Sequence, residues 1–348
     1  MTKMMKAAIL TKAKHIEMTD VAVPQIKDDE VLVRIKAVGV CGSDAHFYRD
    51  GRVAGWIVKE PLILGHECAG EIAEVGRSVE EFQVGDRVII EPGVPCRRCE
   101  WCKRGEYNLC PDIRFMAVPG VDGAFAEYVS SAADFVYPLP DSVSYEEGAL
   151  MEPLSVAIET IKSAKIELGD SVAILGAGPI GILCLQAARA AGATDIYITD
   201  VDENRLSYVT TKFNPTMAIN AQKKDVVDEI KKITGGRGVD MVLEAAGTIE
   251  TFKTTPKIAK KGGMIVLVGI PPFREFPFQA SQLFDQAVQL STIFRYTNTF
   301  PTAIRLVDKG MVDLKSLITH RFSLDKTKEA LELTMNREDE VIKAVVIP

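Results

Sequence analysis

The sequence of 348 residues predicts an α/β chain with two parts, one β-rich and one organised around a doubly wound parallel sheet. Three observations support this prediction. Short alternating segments lie between closely spaced glycines over residues 1 to about 150. Six short apolar runs with helical stretches between them follow, up to residue 295. A glycine-rich turn comes directly after the first of these runs.

The β-rich part is predicted from alternation and turn residues. Residues 31–38 alternate apolar and polar side chains, as a half-buried strand does. Residues 84–90 read as a second strand behind a turn. The end of the chain has a similar texture, with helices near 301–309 and 324–335 and a last strand at 342–347. We expect one β-rich barrel or sandwich formed by residues 1–153 and 296–348.

The inserted part, residues 154–295, is predicted to be a parallel sheet covered by helices on both faces, because its strands are continuously apolar. Six strands match the number in a doubly wound dinucleotide-binding fold. The apolar runs are 172–175, 196–199, 217–219, 239–243, 264–268 and 292–294.

Composition excludes several classes of protein. Hydrophobic residues make up 47% of the chain and charged residues 26%, so a disordered chain is excluded. No apolar run approaches the ~20 residues of a membrane span, and the first residues carry no secretory signal. The net charge of −7 and the lack of a basic run argue against nucleic acid and membrane partners. We expect a cytoplasmic protein.

The glycine-rich turn has the pattern of a dinucleotide site. Gly176, Gly178 and Gly181 form G-x-G-x-x-G between an apolar strand and an apolar helix. In such a turn the first glycine allows the bend, the second lets the backbone approach the pyrophosphate, and the third allows close packing. Asp200, 19 residues beyond Gly181, ends the next strand. A carboxylate there binds ribose hydroxyls and repels the phosphate of NADP, so we predict NAD, with Arg205 near the adenosine. The alternative is a structural turn beside a strand-end aspartate.

Four of the seven cysteines lie within fifteen residues, in the spacing C-x2-C-x2-C-x7-C. Four thiolates at short spacing are typical of a closed, structural zinc site. An iron–sulfur cluster is the competing interpretation, since Cys110 precedes Pro111. Four unligated cysteines are a further alternative. The residues of this set are Cys96, Cys99, Cys102 and Cys110.

A second, scattered set suggests a catalytic metal. Cys41 lies near Ser43 and His46, His66 and Glu67 are adjacent, and Glu152 lies at the expected domain boundary. One cysteine, one histidine and one or two glutamates would leave an open coordination position, which is how catalytic zinc is held. Taken singly, each residue is better explained by a structural role, with His66 as a core histidine and Glu152 as a surface acid.

These motifs together resemble those of the zinc-dependent medium-chain alcohol dehydrogenases. The stretch Gly65-His-Glu-Cys-Ala-Gly-Glu-Ile-Ala-Glu-Val-Gly76 is similar to that family's signature. Cys41-Gly-Ser-Asp, the four-cysteine lobe and the Gly176–Gly181 turn stand in the family's order. Glu152-Pro-Leu-Ser-Val and Ile293-Phe-Arg-Tyr-Thr-Asn298 resemble the sorbitol (polyol, xylitol) dehydrogenase subgroup, and the complete cysteine lobe resembles its microbial members.

The resemblance implies a GroES-like catalytic domain, a Rossmann NAD-binding domain and a homotetramer. It implies that Cys41, His66 and Glu67 bind the catalytic zinc, and that Glu152 binds it directly or through water. The implied substrate contacts are Arg295, Tyr296, Glu152, Phe115 and Trp56. The implied cofactor contacts, besides the glycines, are Ile180, Asp200, Arg205, Ile270, Phe294 and Arg295.

The implied reaction is hydride transfer from a secondary hydroxyl of a small polyol to NAD, which gives a ketose. For the proton, Ser43 and His46 offer one route and Glu152 another, and we favour Glu152. Two other functions remain open. One is a dehydrogenase for another vicinal diol or an amino alcohol, such as butanediol or threonine. The other is a zinc- and NAD-binding structural or regulatory protein.

Overall fold

The computed structural model describes residues 3–271, 275, 280–337 and 340–348, which form two compact units. Unit 1 comprises the described residues of Met1–Glu152, Phe300–Lys309 and Leu314–Pro348. Unit 2 comprises those of Pro153–Thr299 and Gly310–Asp313. Relative to the predicted limits, Pro153, residues 296–299 and residues 310–313 group with unit 2.

Most of the regular secondary structure of unit 1 is strand. The elements are numbered along the whole chain. Its strands are β1 (Met4–Lys12), β2 (His15–Ala22), β3 (Glu30–Gly39), β4 (Arg52–Val53), β5 (Trp56–Ile57), β6 (Leu62–Ile63), β7 (Glu67–Val75), β8 (Arg87–Ile90), β9 (Gly93–Val94), β10 (Arg114–Phe115), β11 (Tyr128–Ala132), β12 (Val136–Pro138), β19 (Ile318–Ser323) and β20 (Lys343–Ile347). Its α-helices are α1 (Gly42–Asp50), α2 (Glu100–Lys103), α3 (Tyr145–Ala149), α10 (Phe300–Asp308) and α11 (Thr327–Asn336). Single 3₁₀ turns are Tyr107–Leu109, Ala133–Phe135, Lys315–Leu317 and Leu324–Lys326.

The main sheet of unit 1 runs in the order β12-β8-β7-β3-β20-β19, with β11 also paired to β3. A second sheet has the order β2-β1-β6. The central strand β3 pairs with β7 over most of its length and with β20 at Val38 and Gly39. The last strand of the chain therefore lies beside one of the first, which requires the chain to return to unit 1 after unit 2.

Unit 2 contains the predicted parallel sheet. A helix that begins at the end of unit 1, α4 (Met151–Ala164), leads into it. Its strands are β13 (Ser171–Leu175), β14 (Asp195–Asp200), β15 (Met217–Asn220), β16 (Val239–Glu244), β17 (Ala259–Leu267) and β18 (Gln289–Thr292). Its helices are α5 (Pro179–Ala190), α6 (Glu203–Phe213), α7 (Val226–Ile233), α8 (Ile249–Ile258) and α9 (Ala280–Gln286).

The strand order in unit 2 is β15-β14-β13-β16-β17-β18, all parallel. This is the doubly wound order in which a dinucleotide lies across the carboxyl ends of the strands, where the order reverses beside β13. The predicted α/β fold class is confirmed. Among the described residues, no helix has the length and apolar character needed to cross a bilayer.

The predicted sixth strand, residues 292–294, was misplaced. The strand is β18, Gln289–Thr292, and the apolar residues that suggested it come just after its end. β18 is largely exposed at the edge of the described sheet, so it does not need the continuous apolar run that a central strand needs.

A cluster of charged side chains lies at the amino ends of the central strands β13 and β16. Asp240, in β16, accepts hydrogen bonds from the backbone N–H and hydroxyl of Ser171 at the start of β13. Arg237 and Lys260 also donate to this carboxylate. Burial alone would raise the pKa of Asp240, but these hydrogen bonds outweigh it and hold the pKa well below its usual range.

We predict that D240N destabilises the protein by about 2–3 kcal/mol near pH 7, because the charged hydrogen bonds are lost. The folded-state pKa lies below the unfolded one, so this stabilisation is present above the unfolded pKa and disappears as the pH falls through the folded pKa. Urea unfolding from pH 7 down to pH 3 measures it, with the exposed Asp285→Asn as control. Equal unfolding midpoints for the two variants at pH 7 would contradict the prediction.

Candidate functional site

The first part of the site forms where β3 ends and α1 begins. Cys41 is the N-cap residue of α1, and its N–H donates to Oδ2 of Asp44, 3.1 Å away. The hydroxyl of Ser43 donates to the Cys41 sulfur at 3.2 Å. This arrangement fixes the position of the thiol at the start of α1.

Asp44 joins this helix start to the turn that carries His66. Its side chain is fully buried, and Oδ1 accepts the N–H of Gly65 at 3.0 Å and lies 3.5 Å from Nδ1 of His66. A carboxylate behind a metal-binding imidazole orients the ring and fixes its tautomer. The sequence prediction omitted Asp44, although an acid at the third helical position is a capping-box signal.

Cys41, His66 and Glu67 come together in the structure. Their ligand atoms all lie within 4.8 Å of one another, with His66 7% and Glu67 1% exposed. Zinc bonds of about 2.0–2.3 Å to such ligands would require only a small contraction. The thiol, imidazole and carboxylate therefore fit a zinc ion that keeps an open position. Glu152, buried as the second residue of α4, is not part of this 4.8 Å cluster.

Lys343 neutralises the buried carboxylate of Glu67. Its ammonium donates to Oε1 of Glu67 at 2.7 Å and to the carbonyl of Val40 at 2.9 Å. Oε2 lies 2.6 Å from the same ammonium, so both carboxylate oxygens of Glu67 are in contact with Lys343. We did not predict this pair. The available signal was one lysine in the apolar run that ends the chain.

The other predicted site residues of unit 1, Phe115, Trp56 and His46, differ in their exposure and contacts. The ring of Phe115, on β10, lies beside that of His66, with centroids 5.6 Å apart. Trp56, on the short strand β5, is 43% exposed. His46 is half-exposed on α1, and its Nδ1 lies 2.9 Å from the Arg49 guanidinium. Partial burial and the nearby Arg49 lower the pKa of His46.

The four-cysteine lobe is a second compact ligand set. The sulfurs of Cys96, Cys99, Cys102 and Cys110 lie within 4.8 Å of one another. Cys96 and Cys102 are 3.9 Å apart, and Cys99 and Cys102 are 3.4 Å apart. Tetrahedral zinc with bonds of about 2.3 Å requires sulfur separations near 3.8 Å. The lobe therefore fits a structural zinc ion.

Glu91 connects this lobe to the main sheet. Its carboxylate accepts hydrogen bonds from Tyr107 in the lobe, at 2.7 Å, and from Tyr137 on β12, at 3.0 Å. It is 1% exposed, and this burial raises its pKa to about 7. A role for Glu91 was not predicted from the sequence, because its partners lie 16 and 46 residues further along the chain.

The glycine-rich turn of unit 2 has the geometry that its motif predicts. Gly176 follows β13 with φ +115°, and Gly178 is the N-cap residue of α5. A Cβ on Gly181 would lie 1.9 Å from the carbonyl oxygen of Gly176, so only glycine fits there. The N-terminus of α5 consequently opens at the carboxyl edge of the sheet, where it can bind a pyrophosphate.

Asp200 and Arg205 lie beside this turn. Asp200 ends β14, and its Oδ2 accepts the N–H of Ala177 at 2.7 Å. Arg205, on α6, is 9% exposed, and its guanidinium would be 3.9 Å from a Cβ on Gly178. The predicted ribose carboxylate and its neighbouring arginine therefore adjoin the glycine-rich turn.

The remaining predicted residues of unit 2 include both exposed and buried side chains. Ile270, after β17, is 68% exposed, and Phe294, after β18, is 56% exposed. The Arg295 guanidinium lies 5.0 Å from the centre of the Phe294 ring. Tyr296 is 3% exposed, and Ile180 is half-buried in the first turn of α5. Their contacts with cofactor or substrate stay predictions.

Comparison with known proteins agrees with this architecture. Residues 27–141 match the alcohol dehydrogenase GroES-like domain, and residues 179–309 match the zinc-binding dehydrogenase model. Sorbitol dehydrogenase of Bacillus subtilis is 45% identical, over 99% of this chain and 97% of that protein. D-xylulose reductase of Saccharomyces cerevisiae is 40% identical, over 98% and 97%. The crystal structure of an Escherichia coli oxidoreductase of unknown specificity matches with TM-score 0.95 and 36% identity, over 99% of both chains.

The chain therefore belongs to the zinc-dependent medium-chain dehydrogenases, whose cofactors are zinc and a nicotinamide dinucleotide. Within them, its full-length likeness to several sorbitol dehydrogenases is consistent with the sorbitol and polyol subgroup.

We predict that K343M destabilises the zinc-free protein by about 3–5 kcal/mol, because it leaves Glu67 as a buried carboxylate without its counter-charge. Urea unfolding measures the effect. The matched control is K36M in the same sheet, which removes a half-buried lysine 3.7 Å from Glu71 and should cost less than about 1 kcal/mol. Similar unfolding midpoints for K343M and K36M would refute the role assigned to Lys343.

Proposed function

We propose that this protein oxidises a secondary hydroxyl of a sorbitol- or xylitol-type polyol to the ketone, with NAD as hydride acceptor. The observation that carries the proposal is the buried cluster of Cys41, His66 and Glu67, in a chain that resembles sorbitol dehydrogenase over its full length. A mixed set of thiol, imidazole and carboxylate with an open position is typical of catalytic rather than structural zinc.

Cys41, His66 and Glu67 would hold the catalytic zinc, with Glu152 bound directly or through water. When bound, zinc acts as a Lewis acid on the substrate hydroxyl and lowers its pKa. Asp44 orients His66, and Lys343 holds Glu67. These two buried partners would keep the ligands in place without competing for the open position.

Glu152 is the group to which we assign the substrate proton. The hydroxyl of Ser43 already donates to the Cys41 sulfur, and the Nδ1 of His46 already faces Arg49. A relay through Ser43 and His46 would have to break both contacts. Glu152 is 6% exposed, so its carboxyl group is sheltered from water.

NAD rather than NADP is the proposed cofactor, because Asp200 places a carboxylate beside the glycine-rich turn. A carboxylate at this position hydrogen-bonds the two ribose hydroxyls and repels a 2′-phosphate. Arg205 would lie near the adenosine, while Ile180, Ile270 and Phe294 would offer apolar surface to the cofactor.

The polar groups proposed to select a polyol are Glu152, Arg295 and Tyr296, and Phe115 and Trp56 are the proposed apolar contacts with the substrate. Several hydrogen-bonding groups favour a substrate with several hydroxyls over an alkyl alcohol, because buried polar groups lose their partners when an alkyl chain binds. Phe115 is supported by its position beside His66.

A homotetramer in the cytoplasm is the proposed state. Strand β18 lies at an edge of the described sheet, and it carries Leu290, which is 44% exposed, shortly after Phe284, which is 85% exposed. An exposed apolar edge of this kind is a suitable surface for another subunit. The seven cysteines are all unpaired, which agrees with a reducing compartment.

The activity is tested with a panel of substrates. Purified protein with measured zinc content should reduce NAD with sorbitol and xylitol, and much less with 2,3-butanediol and threonine, because several of the proposed substrate contacts are polar. Turnover of butanediol or threonine without turnover of polyols would replace the polyol assignment. No turnover of any substrate by protein loaded with two zinc ions would favour a structural or regulatory role.

The two zinc sites should respond differently to loss of a thiol. C41A should lose one zinc ion and all turnover while keeping its melting temperature to within a few degrees. C99S should lose the other ion and lower the melting temperature by about 5 °C or more, since a closed zinc site contributes folding energy. C184A, which removes a buried thiol on α5, is the control and should retain both ions. Full activity in C41A, or an unchanged melting temperature in C99S, would refute the corresponding assignment.

A further inference from the structure

Glu244, the last residue of β16, is a fully buried carboxylate outside the predicted site. Its Oε1 accepts the N–H groups of Ala246 and Gly247, at 3.0 and 2.8 Å, and the hydroxyl of Thr251 at 2.7 Å. Its backbone carbonyl accepts the N–H groups of Val268 and Gly269, at 2.8 and 2.9 Å. One residue therefore anchors both the turn after β16 and the turn after β17.

These two turns are packed against each other without room for side chains. A Cβ on Gly269 would lie 2.3 Å from the nitrogen of Gly247 and 2.8 Å from Oε2 of Glu244. A Cβ on Gly247 would lie 2.9 Å from the carbonyl oxygen of Ile270. A shift of the Glu244 side chain would therefore move the backbone that presents Ile270, whose side chain is 68% exposed.

The strand order shows which half of a dinucleotide these turns would meet. Asp200, the proposed ribose ligand, ends β14 on one side of β13. The strands β16 and β17 lie on the other side, and a Cβ on Gly176 would be only 3.1 Å from the backbone of Ala245. A dinucleotide that crosses the sheet at β13 with its adenosine over β14 has its nicotinamide half over β16 and β17.

The second carboxylate oxygen of Glu244 lowers the stability of the fold. Oε2 is buried and accepts no hydrogen bond from any described residue. A buried acceptor without a partner destabilises the fold, and such defects are concentrated where a protein has traded stability for function. A residue that served only to hold the turns would not need this unsatisfied oxygen.

We propose that Glu244 is a positioning residue for the nicotinamide half of the cofactor, acting through the two turns that carry Ile270. The proposal rests on the proposed function, because it presupposes that unit 2 binds NAD. It assigns Glu244 no contact with the reacting atoms. It concerns the affinity for the nicotinamide half, and leaves the adenosine half to Asp200 and the glycine-rich turn.

The test compares NADH with ADP-ribose, which lacks the nicotinamide ring, by titration of the zinc-loaded protein. In E244A the Kd for NADH should rise about tenfold, because the turns lose their preorganisation, while the Kd for ADP-ribose changes less than about twofold. E244Q keeps one acceptor oxygen and should restore most of the NADH affinity. I270A should show the same selectivity as E244A.

Equal weakening of both ligands in E244A, or no weakening of either, would overturn the proposal. If E244A does not fold, T251V provides the test, since it removes one of the three hydrogen bonds to Oε1 and should weaken NADH selectively by a smaller factor. Wild-type protein that binds neither ligand would instead refute the proposed function. The proposed role of Glu244 and the proposed use of NAD are therefore refuted by different measurements.

Discussion

The stability of unit 1 depends on how the buried charge of Glu67 is compensated. A carboxylate that is 1% exposed is strongly disfavoured unless an opposite charge accompanies it. The compensating charge comes from Lys343, 276 residues further along the chain. Lys343 begins β20, which pairs with β3 next to the segment that carries Cys41. The end of the chain therefore completes both the sheet and the charge balance around Glu67, and unit 2 is accordingly an insertion within unit 1 rather than a separate C-terminal domain.

Unit 2 uses buried carboxylates at both ends of its sheet, with opposite consequences. Asp240, at the amino ends of the strands, is surrounded by donors and ion partners and has a lowered pKa. Glu244, four residues later at the carboxyl end of the same strand, has one oxygen without a hydrogen bond among the described residues, and burial raises its pKa. The satisfied carboxylate secures the fold, while the unsatisfied one lies at the edge where ligands bind in such sheets.

The sequence predicted those features that depend on residues close together in the chain. The glycine-rich turn, the four-cysteine lobe and the parallel strands each have a local pattern, and the structure reproduces their geometry. The edge strand β18 was misplaced because an exposed strand has no strong apolar signal. Lys343, Asp44 and Glu91 were missed for a different reason. Each joins segments that only the fold brings together, and even the capping-box position of Asp44 does not reveal its contacts with Gly65 and His66.

The two ligand sets differ in charge, and this difference would account for the separate roles that we propose for them. A divalent ion held by four thiolates carries a net negative charge, which makes the metal a poor electron acceptor and leaves no position open. The same ion held by Cys41, neutral His66 and Glu67 would be close to neutral, and the adjacent ammonium of Lys343 would make its surroundings positive. A metal in that environment would attract the electrons of a substrate oxygen. Lys343 would therefore contribute to reactivity as well as to folding, because the charge that allows Glu67 to be buried also limits how much electron density Glu67 can give to the metal.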